Sequence, residues 1–332
     1  MSSWPVLVFD IETIPDVAGL RALRQMDPRV DDAGVYAAEI AERQQRGKSD
    51  FMPLHLQRVL VISCVFRNAD GLHVHSIVDR EADGASQEGR VVQSFFNLVE
   101  RHTPQLVSWN GGGFDLPVLH YRGMRHGVVA SKYWDMGEDD REFRWNNYIG
   151  RYHLRHLDLM DLLAMYQPRG NAPLDAMAKL CGFPGKLGMD GSQVYSAYLD
   201  GRRDEIRRYC ETDVMNTYLL YCRFQKMRGG FTDAEYEREV ALVRQTLGAI
   251  DEAHWKEYLA AWPVDALAPL ASAAAASGSR GEGGDAATAT SSTSAPPSPD
   301  APEATTAGGV TEATQTTAAA PSVYIDASSI RA

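Results

Sequence analysis

The chain has 332 residues, is 44% hydrophobic and carries a formal net charge of −11. That supports one well-packed domain with room for a second, and it excludes a polycation that coats nucleic acid through bulk charge. Four scattered cysteines (Cys64, Cys181, Cys210, Cys222) without a C-x-x-C pair argue against a zinc site or disulfide framework and fit a reducing, cytoplasmic setting; no apolar run spans a bilayer, and no signal peptide is expected.

The first expected element is a buried strand, Val6 to Ile11, within WPVLVFDIET (Trp4–Thr13). Val6, Leu7, Val8, Phe9 and Ile11 are apolar on both faces, as in a central strand covered on both sides. Asp10 and Glu12 flank Ile11 and therefore point the same way. Two carboxylates at the exit of a buried strand repel in a low dielectric. A hard divalent cation with oxygen ligands offsets that cost. The other reading is a solvated turn that begins with two acids.

Helical and irregular sequence follows, Val17–Met26 and Val35–Arg46, until Pro53. Arg58–Phe66 reads as a second buried strand, Asn68–Gly71 as a hairpin turn and Leu72–Val78 as a third strand. Ser86–Arg101 has helical spacing. Gln105–Trp109 is a short fourth strand that breaks at Asn110 and three glycines and runs into a helix, Leu116–His126. Residues 131–157 mix aromatic side chains with Arg141, Arg144, Arg151 and Arg155 without a clean period. They read either as a clamp that stacks on a single strand or as a packed insertion with surface arginines. Leu157–Tyr166 resumes a helical pattern, Pro173–Cys181 is a short helix, Lys186–Gly191 a glycine-punctuated loop and Gly201–Met227 a long helix.

Thr232–Trp262 is amphipathic and helical, with Thr232 as N-cap and Glu235 three residues on. From Val264 onward Ala, Ser, Thr, Gly and Pro dominate, and such a segment is expected to be disordered because it buries too little apolar surface to offset its ordering entropy. Its 2 basic and 7 acidic residues leave −6 on the remainder. Within it, Ser322–Asp326 reads as a docking peptide or a plain tail end. An antiparallel run of strands followed by interleaved helices predicts an α/β layer fold, a mixed sheet covered by helices.

Two further stretches carry chemistry. In SWNGGGFD (Ser108–Asp115) a strand ends, three glycines permit unusual backbone angles and Asp115 starts a helix. The helix dipole stabilises an acid there; a simple N-capping aspartate is the alternative. No Walker lysine follows, and the spacing is not G-x-G-x-x-G. In YCETD (Tyr209–Asp213) the phenol and the last carboxylate are i and i+4, on one helix face. Together they could orient a water and bind a metal, or simply touch on a helix surface.

Taken in order, D-x-E on a first strand, N-x-x-x-F-D after a later strand and Y-x-x-x-D on a late helix resemble the DEDD superfamily of 3′–5′ exonucleases, in its tyrosine-containing branch. The chain looks most like the predicted exonucleases related to the proofreading domain of family B DNA polymerases, from Val6 to about Arg228. The resemblance implies a ribonuclease H-like fold, with an exonuclease domain over residues 1–230, a helical extension over 231–263 and the tail over 264–332. It implies two divalent cations, Mg²⁺ or Mn²⁺, held by Asp10, Glu12, Asp115 and Asp213. Asp10 would bridge both, Glu12 and Asp213 would complete the nucleophile side, Asp115 would act through water, and Tyr209 would orient the attacking water. It also implies substrate contacts from Thr13, Asn110 and Phe114 to a single-stranded DNA or RNA 3′ end. Two metals about 4 Å apart stabilise both the attacking and the leaving oxygen of an in-line displacement. The four carboxylates would titrate as a coupled group.

Some residues stay outside the motifs. Asp158 is a candidate extra carboxylate near the metals. His153 and His156 read as packing beside the site or as metal ligands. Arg202, Arg203, Arg207 and Arg208 read as phosphate contacts or a solvated face. No polymerase domain is seen, so proofreading in cis is not expected. The expected activity is a metal-dependent 3′–5′ exonuclease. The alternatives are a nucleic-acid-binding module of the same fold without turnover, or a scaffold acting through the tail. The full set of four carboxylates and the tyrosine favours the enzyme.

Overall fold

The computed structural model describes residues 5–79 and 86–263. The expected disordered tail, with Ser322–Asp326 in it, lies outside the described residues. Five strands form one mixed sheet: β1 Val6–Pro15, β2 Gln57–Arg67, β3 Leu72–Val78, β4 Gln105–Ser108 and β5 His156–Asp158. Their order across the sheet is β3-β2-β1-β4-β5, with β1–β2 and β2–β3 antiparallel and β1–β4 and β4–β5 parallel. This is the helix-flanked mixed sheet that the sequence implies, with β1 at its centre.

The helices, in order, are α1 Val17–Leu23, α2 Asp32–Gln45, α3 Glu88–His102, α4 Asp115–His126, α5 Ser131–Trp134, α6 Leu159–Leu163, α7 Leu174–Leu180, α8 Val194–Leu199, α9 Arg203–Met227, α10 Asp233–Ala249 and α11 Ala253–Ala261. Alternation along β1 feeds two cores. Val6 and Val8 pack with Val107 and with Val214, Met215 and Tyr218 of α9. Leu7, Phe9 and Ile11 face the other way, onto Val91, Val92 and Phe95 of α3 and Leu116 and Leu119 of α4. Asp10 and Glu12 continue the line of Val6 and Val8, so the alternation delivers both acids to the α9 face. Every residue of α9 from Tyr209 to Cys222 is buried. The sheet covers one side of this helix; α7 and α10 cover the other.

Two sequence expectations change. Leu157–Tyr166 is not a continuous helix, because residues 156–158 pair in parallel with β4 before α6 begins. A three-residue strand is too short to leave a period of two, so the helical pattern next to it dominates the reading. The three glycines after β4 do not take the unusual angles; Asn110 does, with φ 70°. The glycines serve close approach instead. A Cβ on Gly111 would meet the Ser108 side chain at 2.3 Å, and one on Gly113 would meet Asn110 Oδ1 at 2.5 Å. Near the C-terminus the capping box forms as expected: Thr232 and Glu235 each accept from the other's backbone N–H. Tyr236, Val240, Trp255 and Tyr258 of α10 and α11 join the core around α9. Among the described residues no helix is long and apolar enough to cross a membrane.

A buried ion cluster ties β1, α3 and α4 together on the far side of the sheet. Arg122, 2% exposed, reaches Asp16 at 2.6 Å and Glu88 at 2.5 Å. Glu88 also accepts from Val59 N at 2.7 Å, and Asp16 caps α1 through Gly19 N at 2.9 Å. Removing the guanidinium leaves buried Asp16 with only the more exposed Arg125 as ion-pair partner, at 3.3 Å, and buried Glu88 with only His126, at 2.7 Å. Arg122→Met should therefore lower the unfolding free energy by about 3–5 kcal/mol. Urea unfolding followed by circular dichroism measures this; an unchanged midpoint would show that the cluster does not stabilise the fold.

Candidate active site

The acids converge where β1 leaves the sheet centre. Glu12 pairs with Val61 and Thr13 with Val59, so Leu60 is an extra residue on β2. Such a bulge re-aims the side chains around it. Asp10 is half-buried; Glu12 is buried. Asp115, the first residue of α4, reaches back to β1, and its Oδ1 accepts from Ile11 N at 3.1 Å, between the two β1 acids. From α9, Cys210 places its thiol 3.6 Å from Asp10 Oδ2 and 3.5 Å from Asp10 O. One turn further on, Asp213 is 4% exposed, and its Oδ1 is buried with no hydrogen-bond partner among the described residues.

Such crowding raises the carboxyl pKa values. Loss of hydration lifts Asp10 most, and repulsion from Asp115, Glu12 and Asp213 adds to it. Glu12 rises for the same reason, with Asp213 as the main neighbour. Burial pushes Asp115 up to about 7, against the pull of its backbone N–H bonds. Asp213 also rises through burial, but Lys186 pulls it back.

Lys186 is the group that sequence reasoning passed over as part of a loop. Its ammonium lies 3.1 Å from Asp213 Oδ2 and donates to the Tyr209 hydroxyl oxygen. Burial lowers its pKa, but attraction from Asp213, Asp10 and Glu12 outweighs that and holds it above the usual value. Its position is fixed by neighbours. Asn216 of α9 bonds both backbone groups of Gly185 (3.2 and 2.9 Å), Asp175 accepts from Lys186 N at 2.7 Å, and Tyr258 of α11 donates to Asn216 at 2.7 Å. Gly185 has φ +73°, and a Cβ there would meet Asp175 Oδ1 at 2.5 Å, so only glycine suits this approach. Tyr209 stays a neutral phenol, since burial and then Asp213, Glu12 and Asp10 all raise its pKa.

The remaining expectations divide. Thr13 donates to Gln57 at 2.9 Å, and Phe114 packs on Phe51 with the rings tilted at 50° and centroids 5.7 Å apart; both adjoin site acids in the chain. Asp158 lies near enough to Asp115 for its charge to raise the Asp115 pKa, and its oxygens accept from Asn110 N and Gly112 N, both at 2.9 Å, and from Asp161 N at 3.2 Å. It braces the glycine loop. His156 bonds Ser108 Oγ at 2.8 Å, and His153 accepts from Asn147 N at 3.0 Å. Of the four arginines before the third motif, Arg207 is buried against Glu211 and Arg202 pairs with Asp200 and Glu205. Glu211, inside that motif, turns away to Ser76, Arg207 and His254.

The residues fit a hard cation. Asp10, Glu12 and Cys210 each bring a ligand atom within 4.8 Å of the others, and the orphaned Asp213 oxygen supplies a further donor. Burial and then the nearby Asp10 and Glu12 hold the Cys210 thiol protonated in the metal-free protein, where it donates to Asp10. The carboxylate oxygens beside it are hard donors of the kind that Mg²⁺ and Mn²⁺ prefer.

Fold and site together define an α/β protein with a buried acidic centre at the exit of its central strand. A family described as predicted 3′–5′ exonucleases related to the exonuclease domain of PolB matches residues 49–262, and the chain belongs to that family. The match takes in Asp115, Lys186, Tyr209 and Asp213; Asp10 and Glu12 precede it and join the site through the β1 geometry. No curated protein matches the chain.

Raised carboxyl pKa values make the metal-free protein pH-sensitive. Their contribution to stability is complete below about pH 4, the unfolded value, and is lost as pH rises through the folded values, about 7 for Asp115. In EDTA the melting temperature should fall from pH 5 to pH 8. Millimolar Mg²⁺ or Mn²⁺ at pH 8 should restore it by binding the native state, and Asp10→Asn should flatten both effects. A melt at pH 8 that neither metal nor Asp10→Asn moves would contradict the clustered charge.

Proposed function

We propose that this protein is a metal-dependent 3′–5′ exonuclease that hydrolyses phosphodiester bonds at the 3′ end of single-stranded nucleic acid. The observation that carries this reading is the convergence of Asp10, Glu12, Asp115 and Asp213, from one strand and two helices, around one lysine and one tyrosine. The acids would hold divalent cations, which when bound supply Lewis-acid stabilisation of charge on the attacking and leaving oxygens. Membership of an exonuclease family supports the same substrate class.

The chain's own groups take distinct roles. Asp10 and Glu12 share the α9 face of β1, with carboxylate oxygens within 4.8 Å of each other, and would hold a cation between them. Asp115, tied to Ile11 N, is held rigidly for its share. Tyr209 accepts from Lys186 and lies beside Asp213, so its hydroxyl direction is set before substrate arrives. A phenol fixed in this way orients a water by hydrogen bonding without losing its own proton. Lys186 partly neutralises Asp213 and fixes the phenol. Thr13, Asn110 and Phe114, at the ends of the same elements, would meet the terminal nucleotide.

The test uses 5′-labelled single-stranded DNA and its RNA twin with Mg²⁺, Mn²⁺ or EDTA. A metal-dependent ladder that shortens from the 3′ end is expected, and the faster twin names the sugar. Asp213→Ala should abolish it. Tyr209→Phe and Lys186→Met should lower kcat on the order of 10²-fold while KM stays near the starting value. A chain truncated after residue 263 should keep the activity. Intact strands under every metal, with a gel shift still present, would replace the exonuclease by a binding module.

A further inference from the structure

We propose that the cleft between the Asn110–Gly113 loop and residues 148–171 receives a nucleobase of the substrate strand, that of the 3′-terminal or the penultimate nucleotide. The inference rests on the exonuclease reading and adds a stacking site to it.

The cleft has a volume of about 510 Å³, within the range of about 300–1,000 Å³ common to small-ligand sites. Its floor is the glycine loop with Asp158 beneath it. The same loop leads directly into Asp115, so cleft and acidic centre lie against one segment of backbone. A strand whose phosphate reaches Asp115 has a base next to this loop.

The walls are aromatic and close to neutral. Tyr152 is 73% exposed and packs edge-on against Tyr166, with ring centroids 4.9 Å apart at 84°. The Arg151 guanidinium lies 5.2 Å from the Tyr166 centroid and bonds both Asp161 oxygens, at 2.9 and 2.8 Å. That pairing leaves a flat, charge-compensated surface. His120 and His156 are held neutral, since burial pushes both pKa values down to about 4. A wall of this kind suits the π-face of a base; a phosphate needs uncompensated positive charge.

Of the other aromatic groups of the segment, Tyr133 and Tyr148 line the cleft with buried rings, and Trp134 and Trp145 are exposed outside its lining. Tyr133 and Tyr148 stack on each other in the core at 5.4 Å, and Arg155 covers Phe143 at 4.0 Å. So the insertion is a packed body that leaves Tyr152, with Tyr166, at the cleft mouth. Backbone strain marks the same place. Five non-glycine residues have positive φ among the described residues, and three are here: Asn110 (70°) on one rim, Met165 (52°) and Tyr166 (60°) in succession on the other. Left-handed residues with side chains persist where surrounding structure holds them, and such strain gathers at binding sites. The turn at 165–166 is what brings the Tyr166 ring against Tyr152.

The test uses the full chain in Mg²⁺ and single-stranded DNA whose last two linkages are phosphorothioates, to slow hydrolysis. One strand carries 2-aminopurine at the 3′-terminal position and another at the penultimate one. Binding should quench one of the two. Tyr152→Ala, an exposed position that should leave the melt unchanged, should relieve the quenching and weaken binding about tenfold, as for one lost stacked base. Tyr152→Phe should retain both. An abasic site at the quenched position should cost the wild type the same factor and cost Tyr152→Ala almost nothing more. Unchanged quenching and affinity in Tyr152→Ala and in Tyr166→Ala would overturn the cleft, even if the wild type degrades unmodified strands normally. Quenching relieved by Tyr152→Ala in a protein that never hydrolyses a strand would uphold the cleft and remove the exonuclease.

Discussion

The structure is organised around the repulsion between four carboxylates held in one partly dehydrated space. Asp10 and Glu12 arrive on the central strand, Asp115 on the first turn of a helix, and Asp213 from a helix buried along more than three turns. Three of the four are anchored by something other than the other acids. Asp115 takes a β1 backbone N–H, Asp10 a thiol, and Asp213 an ammonium. One Asp213 oxygen has no hydrogen-bond partner among the described residues. A protein that needed only stability would not collect four acids and leave such an atom buried; well-packed apolar groups do better in that position. The cost is tolerable because Lys186 offsets part of the charge and because the raised pKa values let protons offset more.

Lys186 shows how remote packing reaches the site. Tyr258 on α11 holds Asn216, Asn216 holds Gly185, and Gly185 sets where the next side chain begins. The helices after residue 231 thus complete the core around α9 and also fix, through α9, the loop that supplies the lysine. Nearby, Glu211 lies two residues before Asp213 yet faces Ser76, Arg207 and His254. Helical rotation separates these two acids by function: one neutralised in a structural network, the other turned toward the acidic centre.

The aromatic–arginine insertion is for the most part a packed body. Arg155, Phe143, Tyr148 and Tyr133 form a buried ladder, while Tyr152 and Tyr166 end at a cleft mouth. Arginines here and ahead of the third motif are largely matched by acids: Arg151 by Asp161, Arg202 by Asp200 and Glu205, Arg207 by Glu211. Composition had marked them as phosphate contacts or a solvated face, and counting charges could not separate an engaged guanidinium from an open one.

Strands β1 to β4 were legible because each is an apolar run bounded by turn residues, and long helices because their period extends over several turns. The order of the motifs identified the family, since D-x-E, N-x-x-x-F-D and Y-x-x-x-D are each short-range patterns. The fifth strand was not legible, because three residues carry no period. Nor was the strain at Asn110, because three glycines beside it looked like the natural place for it. Lys186 left no local signal at all: its role comes from Asp213 and Tyr209, 27 and 23 residues further along the chain. The sequence by itself determined which residue types the site would use and which elements would carry them, since alternation and helical spacing are properties of a few neighbouring residues. Only the tertiary structure decided that Asp115 docks on Ile11, that Cys210 and Lys186 belong with the acids and that Glu211 does not. Those contacts depend on how a bulged strand, a buried helix and a glycine turn pack together, and packing is settled between distant segments of the chain.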